Sequence, residues 1–91
     1  MQFTWNERKR EANVRKQGLD FADAKEVFEG ATLTFEDDRF PYEEQRFITL
    51  GVMRGIVVVI AHTERDDLIR LISMRKATRH EQRLFFERFA D

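Results

Sequence analysis

An α+β domain is the fold the sequence predicts: two N-terminal helices, a four-stranded antiparallel sheet and a closing helix. Three observations carry this reading. Up to Gly30 the chain has helix caps and apolar residues at helical spacing. From residue 31 to residue 74 it turns to alternation and apolar runs. It then closes on Thr78-Arg79-His80-Glu81, a capping box ahead of Leu84, Phe85 and Phe89. Helices segregated to one side or end of an antiparallel sheet define this class. Ninety-one residues suit one domain, taken as residues 1–91.

The first helix runs from Asn6, whose side chain can accept a backbone N–H of the first turn, to Lys16. Arg15 and Lys16 sit where the helix dipole favours cations, and Gly18 follows as a stop. The second helix starts at Asp20, with Asp23 as a weak capping-box partner. Phe21, Ala24, Val27 and Phe28 form its apolar face, and Gly30 ends it. Ala31–Phe35 alternates as a short strand. The acidic stretch Glu36–Glu44, with the single proline Pro41, reads as an exposed loop. Three strands follow, Gln45–Val52, Ile56–Thr63 and Leu68–Met74. Arg54-Gly55 and Arg65-Asp66-Asp67 mark the two hairpin turns. Ile56–Ala61 is apolar on both faces, as a central strand requires. The last helix spans Thr78–Phe89.

A chain this small must bury its core efficiently, and nine Phe, one Trp and one Tyr supply that area. The absence of cysteine excludes disulfide staples and thiolate metal sites. His62 and His80 are too far apart in the chain to lead a metal site, so no metal or other cofactor is expected. Met1–Arg8 has no apolar stretch after a basic one, and the longest apolar run is about a third of the ~20 residues a membrane helix needs. A soluble, cytoplasmic protein is expected, with no membrane partner. Sixteen basic residues face seventeen acidic ones, for a net charge of −1, so the total gives no sign of nucleic-acid binding. The distribution does: Ile69–Arg83 holds Arg70, Arg75, Lys76, Arg79 and Arg83 against Glu81 alone. That local excess could hold a phosphate backbone, or it could be a solvated strand end and helix face.

Several segments taken together carry a resemblance. They are Phe3-Thr4-Trp5-Asn6, Asn13-Val14-Arg15-Lys16-Gln17-Gly18-Leu19-Asp20-Phe21, Glu44-Gln45-Arg46, His62-Thr63-Glu64-Arg65 and Ile69-Arg70-Leu71-Ile72-Ser73-Met74-Arg75-Lys76-Ala77-Thr78, closed by Glu81. Their order and spacing, over roughly residues 3–86, resemble the BrnT toxins of the wider RelE-like group. The resemblance implies an RNA-cleaving toxin that slows translation. It implies a BrnA-like antitoxin partner with a ribbon-helix-helix DNA-binding part, and contact with operator DNA only through that antitoxin. Asn6 stands where an aspartate is common, and either can cap a helix; two further departures from the family pattern matter. Gln17 stands where members usually have histidine, and Phe85 where many have tyrosine; both bear on catalytic strength. They keep a second reading open, a catalytically weak or inactive toxin-like module whose main role is binding an antitoxin.

Metal-free RNA cleavage uses the ribose 2′-hydroxyl as nucleophile. It needs a base for that proton, a cation for the crowded phosphorane and an acid for the leaving 5′ oxygen. Arginine suits the middle role because its planar fork binds two phosphate oxygens and stays charged. The catalytic candidates are Arg65, Arg75, Glu81, Lys16 and His62. Each has a plainer alternative. Arg65 could be a turn arginine, and Arg75 could pair with Glu81. Glu81 is also the fourth member of the capping box, Lys16 also compensates the helix dipole, and His62 could be a partly buried strand residue with its ring hydrogen-bonded. Arg65 and Arg75 converge only if the loop or the helix entry bends one of them inward. Arg46, Arg70, Lys76 and Arg79 are the RNA-binding candidates. Alternation puts Arg70 on the face opposite Ile69 and Leu71, together with Ile72 and Met74.

Overall fold

The computed structural model describes residues 1–89; Ala90 and Asp91, the last two of the expected domain, lie outside it. Its elements in chain order are β1 (Gln2–Thr4), α1 (Glu7–Gln17), a 3-10 turn (Phe21–Asp23), α2 (Ala24–Glu29), β2 (Thr32–Asp37), β3 (Arg46–Met53), β4 (Ile56–Arg65), β5 (Leu68–Lys76) and α3 (Arg79–Phe89). The α+β class holds, but the sheet has five strands in the order β1-β5-β4-β3-β2 and is mixed. The strand missing from the sequence reading is β1, which pairs in parallel with β5, Gln2 opposite Leu68 and Thr4 opposite Arg70. Three residues are too few to show alternation, and the partner that makes them a strand lies at the far end of the chain. The other four strands form the expected antiparallel meander.

Local chemistry sets the helix boundaries. Asn6 accepts Lys9 N–H at 3.1 Å, and Gly18, at φ 70°, donates to the Val14 carbonyl. The second helix opens differently from expectation: Asp20 caps a 3-10 turn by accepting Ala22 N–H, and the α-helix begins only at Ala24. Asp20 also takes a bidentate bond from Arg10, which ties this turn to α1. The predicted Glu36–Glu44 loop is shorter, since Glu36 and Asp37 complete β2 opposite Phe47 and Arg46.

Helices cover both faces of the sheet. Leu19, Phe21, Ala24 and Val27, from the α1–α2 region, pack against Val58, Ile60, Ile69, Leu71 and Met74, with Phe3, Trp5 and Phe28 at the margin. On the other face Phe85 of α3 packs with Leu50, Val57, Val59 and Ala77, flanked by Leu33 and Ile48. Gly51 lets α2 approach: a Cβ there would lie 2.5 Å from Val27 Cγ1. Beyond Thr4 the outer edge of β5 needs another cover, and α1 supplies it. The buried Asn13 accepts Met74 N–H at 3.1 Å through Oδ1 and donates to the Leu19 carbonyl at 2.8 Å through Nδ2. An unpaired backbone group at a buried edge is costly, so this one side chain substitutes for a strand.

One irregularity decides how the site is built. Between Ala61 and His62 the register of β4 and β5 shifts: His62 faces Leu71 but Ala61 faces Ser73, leaving Ile72 as an extra residue in β5. Simple alternation places Met74 beside Arg70. The bulge reverses the phase, so Met74 is fully buried with Ile69 and Leu71. Arg75 consequently shares the face of Arg70.

Candidate functional site

The face carrying α3 is covered only at one end. Its uncovered part is built in cross-strand rows. The first runs Arg70, Thr63, Arg46, Asp37 across β5, β4, β3 and β2; the next runs Ser73, Ala61, Ile48, Phe35; and Arg75 stands opposite Val59 at the margin of α3. Directly opposed residues share a face. The pairing register therefore gathers Arg46 of β3 on one surface with Arg70 and Arg75 of β5, more than twenty residues further along the chain.

Each arginine is held differently. Arg75 donates from Nη1 and Nη2 to the two carboxylate oxygens of Glu81, at 2.7 and 2.8 Å. Glu81 in turn accepts Thr78 N–H at 2.8 Å, and Thr78 Oγ1 accepts Glu81 N–H, which closes the predicted capping box. The two alternatives for Arg75 and Glu81 thus merge: cap, ion pair and placement of the guanidinium are one structure. The bond from Arg75 brings the Glu81 carboxyl down to about 2. Arg46 lies over the ring of Tyr42, its guanidinium carbon 4.2 Å from the ring centroid. Tyr42 is held by Asp37, which accepts its hydroxyl at 3.3 Å. Asp37, with a side chain 4% exposed, also binds Arg39 Nε and Nη2 at 2.7 and 2.9 Å. That bond brings the Asp37 carboxyl to about 2 as well. The positive charge of Arg39 opposes the raised pKa that Glu81 gives Arg75, so the two guanidinium groups lie within electrostatic range.

Two clefts open on this surface. Tyr42, Arg46, Thr63 and Arg70 line one of about 300 Å³. Phe35, Arg39, Ile48, Arg75 and Glu81 line another of about 260 Å³. The segment between β2 and β3 contributes to both. Sequence reasoning missed Asp37, Arg39 and Tyr42 because it read that segment as an acidic exposed loop. The Asp37-Asp38-Arg39 spacing was the available signal.

The remaining candidates are placed elsewhere. Arg65 stands opposite Leu68 at the hairpin end. By register it shares the face of Arg70, but it is six β4 residues from the Val59–Arg75 pair, about 20 Å at ~3.3 Å per residue. The convergence of Arg65 and Arg75, which needed an inward bend, does not occur. Neither the hairpin nor the helix entry bends enough, because β4 and β5 stay paired on both sides of the bulge, from Val58–Lys76 to Arg65–Leu68. Lys16 is exposed in the last turn of α1, past Asn13. Lys76 faces Val58, out of phase with Arg75, and Arg79 is exposed at the start of α3. His62 lies under the opposite face, 0% exposed, stacked on Phe47 and edge-on to Phe28. Its Nε2 bonds Thr49 Oγ1 at 2.7 Å, and burial lowers its pKa to about 4. In this position the ring is neutral and out of reach of anything bound among the arginines. Gln17 ends α1, and Phe85 is buried beneath α3.

Fold and surface together define a small α+β protein that concentrates guanidinium groups on one sheet face of an otherwise charge-balanced chain. The family is a specific one. Residues 5–81 match the family described as the ribonuclease toxin BrnT of type II toxin–antitoxin systems, and the chain belongs to that family. It is thus a toxin of the ribonuclease class whose system includes an antitoxin partner. No curated protein matches the chain. Among the described residues no helix is long and apolar enough to cross a membrane.

Proposed function

We propose that this protein is a cytoplasmic endoribonuclease toxin, a single domain over residues 1–91, that inhibits translation by cutting RNA without a metal ion. The observation that carries the proposal is the bulge at Ile72, which puts Arg70 and Arg75 on the same face as Arg46. The RNA backbone lies across these three residues. Arg46 and Arg70 hold flanking phosphates, and Arg75, fixed by Glu81, meets the scissile one. The 2′ oxygen attacks phosphorus, the bond to the 5′ oxygen breaks, and a 2′,3′-cyclic phosphate remains. Charge builds on the non-bridging oxygens in the transition state, where a preorganised guanidinium contributes most. Glu81, held by Arg75 with a carboxyl of about 2, is too weak a base to take the 2′ proton efficiently and acts as a positioning residue. With His62 buried, the proton leaves to solvent, and solvent protonates the 5′ oxygen. Arg65 and Arg79 extend the cationic track at either end.

The partner is a BrnA-like antitoxin whose ribbon-helix-helix part contacts operator DNA, the toxin itself touching none. An acidic segment of the antitoxin would cover Arg70, Arg75 and Arg79, neutralising the surface and excluding RNA. A crystal structure of the pair leaving that face open would overturn this assignment.

The test is gel-resolved cleavage of purified RNA with EDTA present. Wild type should cut, and Arg75→Ala, folded by circular dichroism, should lose about 10²–10³-fold in rate. Full activity in Arg75→Ala would remove this residue from the site. One observation favours a second reading, a catalytically weak module retained for antitoxin binding: of the three candidate proton carriers His62 is buried, Glu81 is clamped by Arg75, and Lys16 stands in the last turn of α1. A folded wild type that cuts no RNA but binds the antitoxin would establish that reading.

A further inference from the structure

The cleft beside Arg46 and Arg70 is more than a phosphate rest. We infer that it is a nucleobase pocket that selects guanine next to the cut, an inference that rests on the RNA-cleaving reading above. Its lining combines the Tyr42–Arg46 stack, the cations Arg70 and Lys9, and the carboxylates Glu43 and Glu44, with Thr63 and Ile72 between them. Single-stranded RNA is read by this combination: a base stacks on an aromatic ring or a guanidinium plane while its Watson–Crick edge is hydrogen-bonded.

The segment is built to present that stack. Asp37, nearly buried, accepts bonds from the Arg39 backbone and side chain and from the Tyr42 hydroxyl, folding residues 37–42 around one carboxylate. Arg46, held in row between Thr63 and Asp37, then lies on the Tyr42 ring. Glu43 and Glu44 follow at once. Among the described residues neither has a hydrogen bond or ion pair, in contrast to Asp20, Asp37 and Glu81, each held by an arginine. Guanine is the base whose N1–H and N2 amino donors sit side by side, matching the two oxygens of one carboxylate. Uracil and adenine offer no such pair. About 300 Å³ accommodates a purine, and Arg70 at the rim faces the attached phosphate.

The test titrates guanosine, adenosine, cytidine and uridine 3′-monophosphates into ¹⁵N-labelled full-length protein. Guanosine 3′-monophosphate should bind most tightly, with shifts centred on Tyr42–Arg46, Thr63 and Arg70. Tyr42→Ala should weaken it roughly 5- to 100-fold. Tyr42→Phe, which keeps the ring, should stay near wild type. The double variant Glu43→Gln, Glu44→Gln should lose the preference for guanosine while leaving adenosine 3′-monophosphate unaffected. Equal affinity for all four nucleotides, or shifts centred away from this cleft, would overturn the pocket. Cleavage of RNA without guanosine binding would overturn the pocket and leave the nuclease reading standing; binding without cleavage would do the reverse.

Discussion

At the scale of single residues, His62 shows how burial changes what a side chain can do. It ends a chain of hydroxyls that runs inward from the exposed Thr34, Thr34 Oγ1 to Thr49 Oγ1 at 2.7 Å and Thr49 Oγ1 to Nε2 at 2.7 Å. Its Nδ1 has no hydrogen-bond partner among the described residues and lies 3.7 Å from Glu64 Oε1. With a folded pKa near 4 against an ordinary 6.5, the unfolded chain takes up a proton in that window and the folded chain does not. Stability from this group is therefore complete above pH 6.5 and falls as pH drops toward 4, by a total on the order of 3 kcal/mol. Thermal melts between pH 4 and 7 should show this slope, and His62→Gln should flatten it. An equal slope in the variant would assign the effect to other groups. The depressed carboxyls of Asp37 and Glu81, both about 2, add a separate loss below pH 4. The histidine was legible in the sequence as a candidate for catalysis. The plainer reading, a partly buried and hydrogen-bonded strand residue, is the one the structure bears out; that Phe28 and Phe47 enclose it completely was not legible, because they arrive from two other elements.

At the scale of elements, α2 and β3 meet at Gly51, and Asn13 joins α1 to β5. Gly51→Ala should destabilise the protein by about 1–3 kcal/mol, since its Cβ would overlap Val27. Combining it with Val27→Ala should cost less than the sum of the two single changes, because the second relieves the overlap. Strict additivity in urea melts would show that the close approach is relieved by backbone movement instead. Asn13→Ala, which leaves the Met74 N–H and the Leu19 carbonyl unsatisfied, should cost about 1–3 kcal/mol. A loss below about 0.5 kcal/mol would mean that water replaces both bonds. The helices and the meander were legible because their signals are local: caps, spacing and turn residues. The bulge was not. Nothing in Arg70-Leu71-Ile72-Ser73-Met74 marks Ile72 as supernumerary; the demand that Leu71 and Met74 both reach the core decides it. Arginines at 70 and 75 were legible as candidates, but their common face was not.

At the scale of the whole molecule, net charge and local field separate. The chain totals −1, yet Arg46, Arg70 and Arg75 share one face. Three phosphate contacts on single-stranded RNA imply a slope of about −2 for log affinity against log salt. Each of Arg46→Ala, Arg70→Ala and Arg75→Ala should reduce its magnitude by about 0.7. A slope near zero in wild type would mean that the face does not hold a phosphate backbone. Total charge could not reveal this, because a sum does not say where the guanidinium groups gather, and the same face also carries Asp37, Glu43, Glu44 and Glu81.

The parallel pairing of β1 with β5 bears on how the chain reaches this state. Gln2 must wait for Leu68, and Thr4 for Arg70, before either forms its ladder. Contacts so distant in sequence form late, after the hairpins have narrowed the search. During synthesis β1 is therefore made well before the strand that places it. The row that carries Arg70 gains its outer neighbour only once most of the chain has emerged. The cationic face is thus closed only after the strand that carries Arg70 has been made and its hairpins have formed.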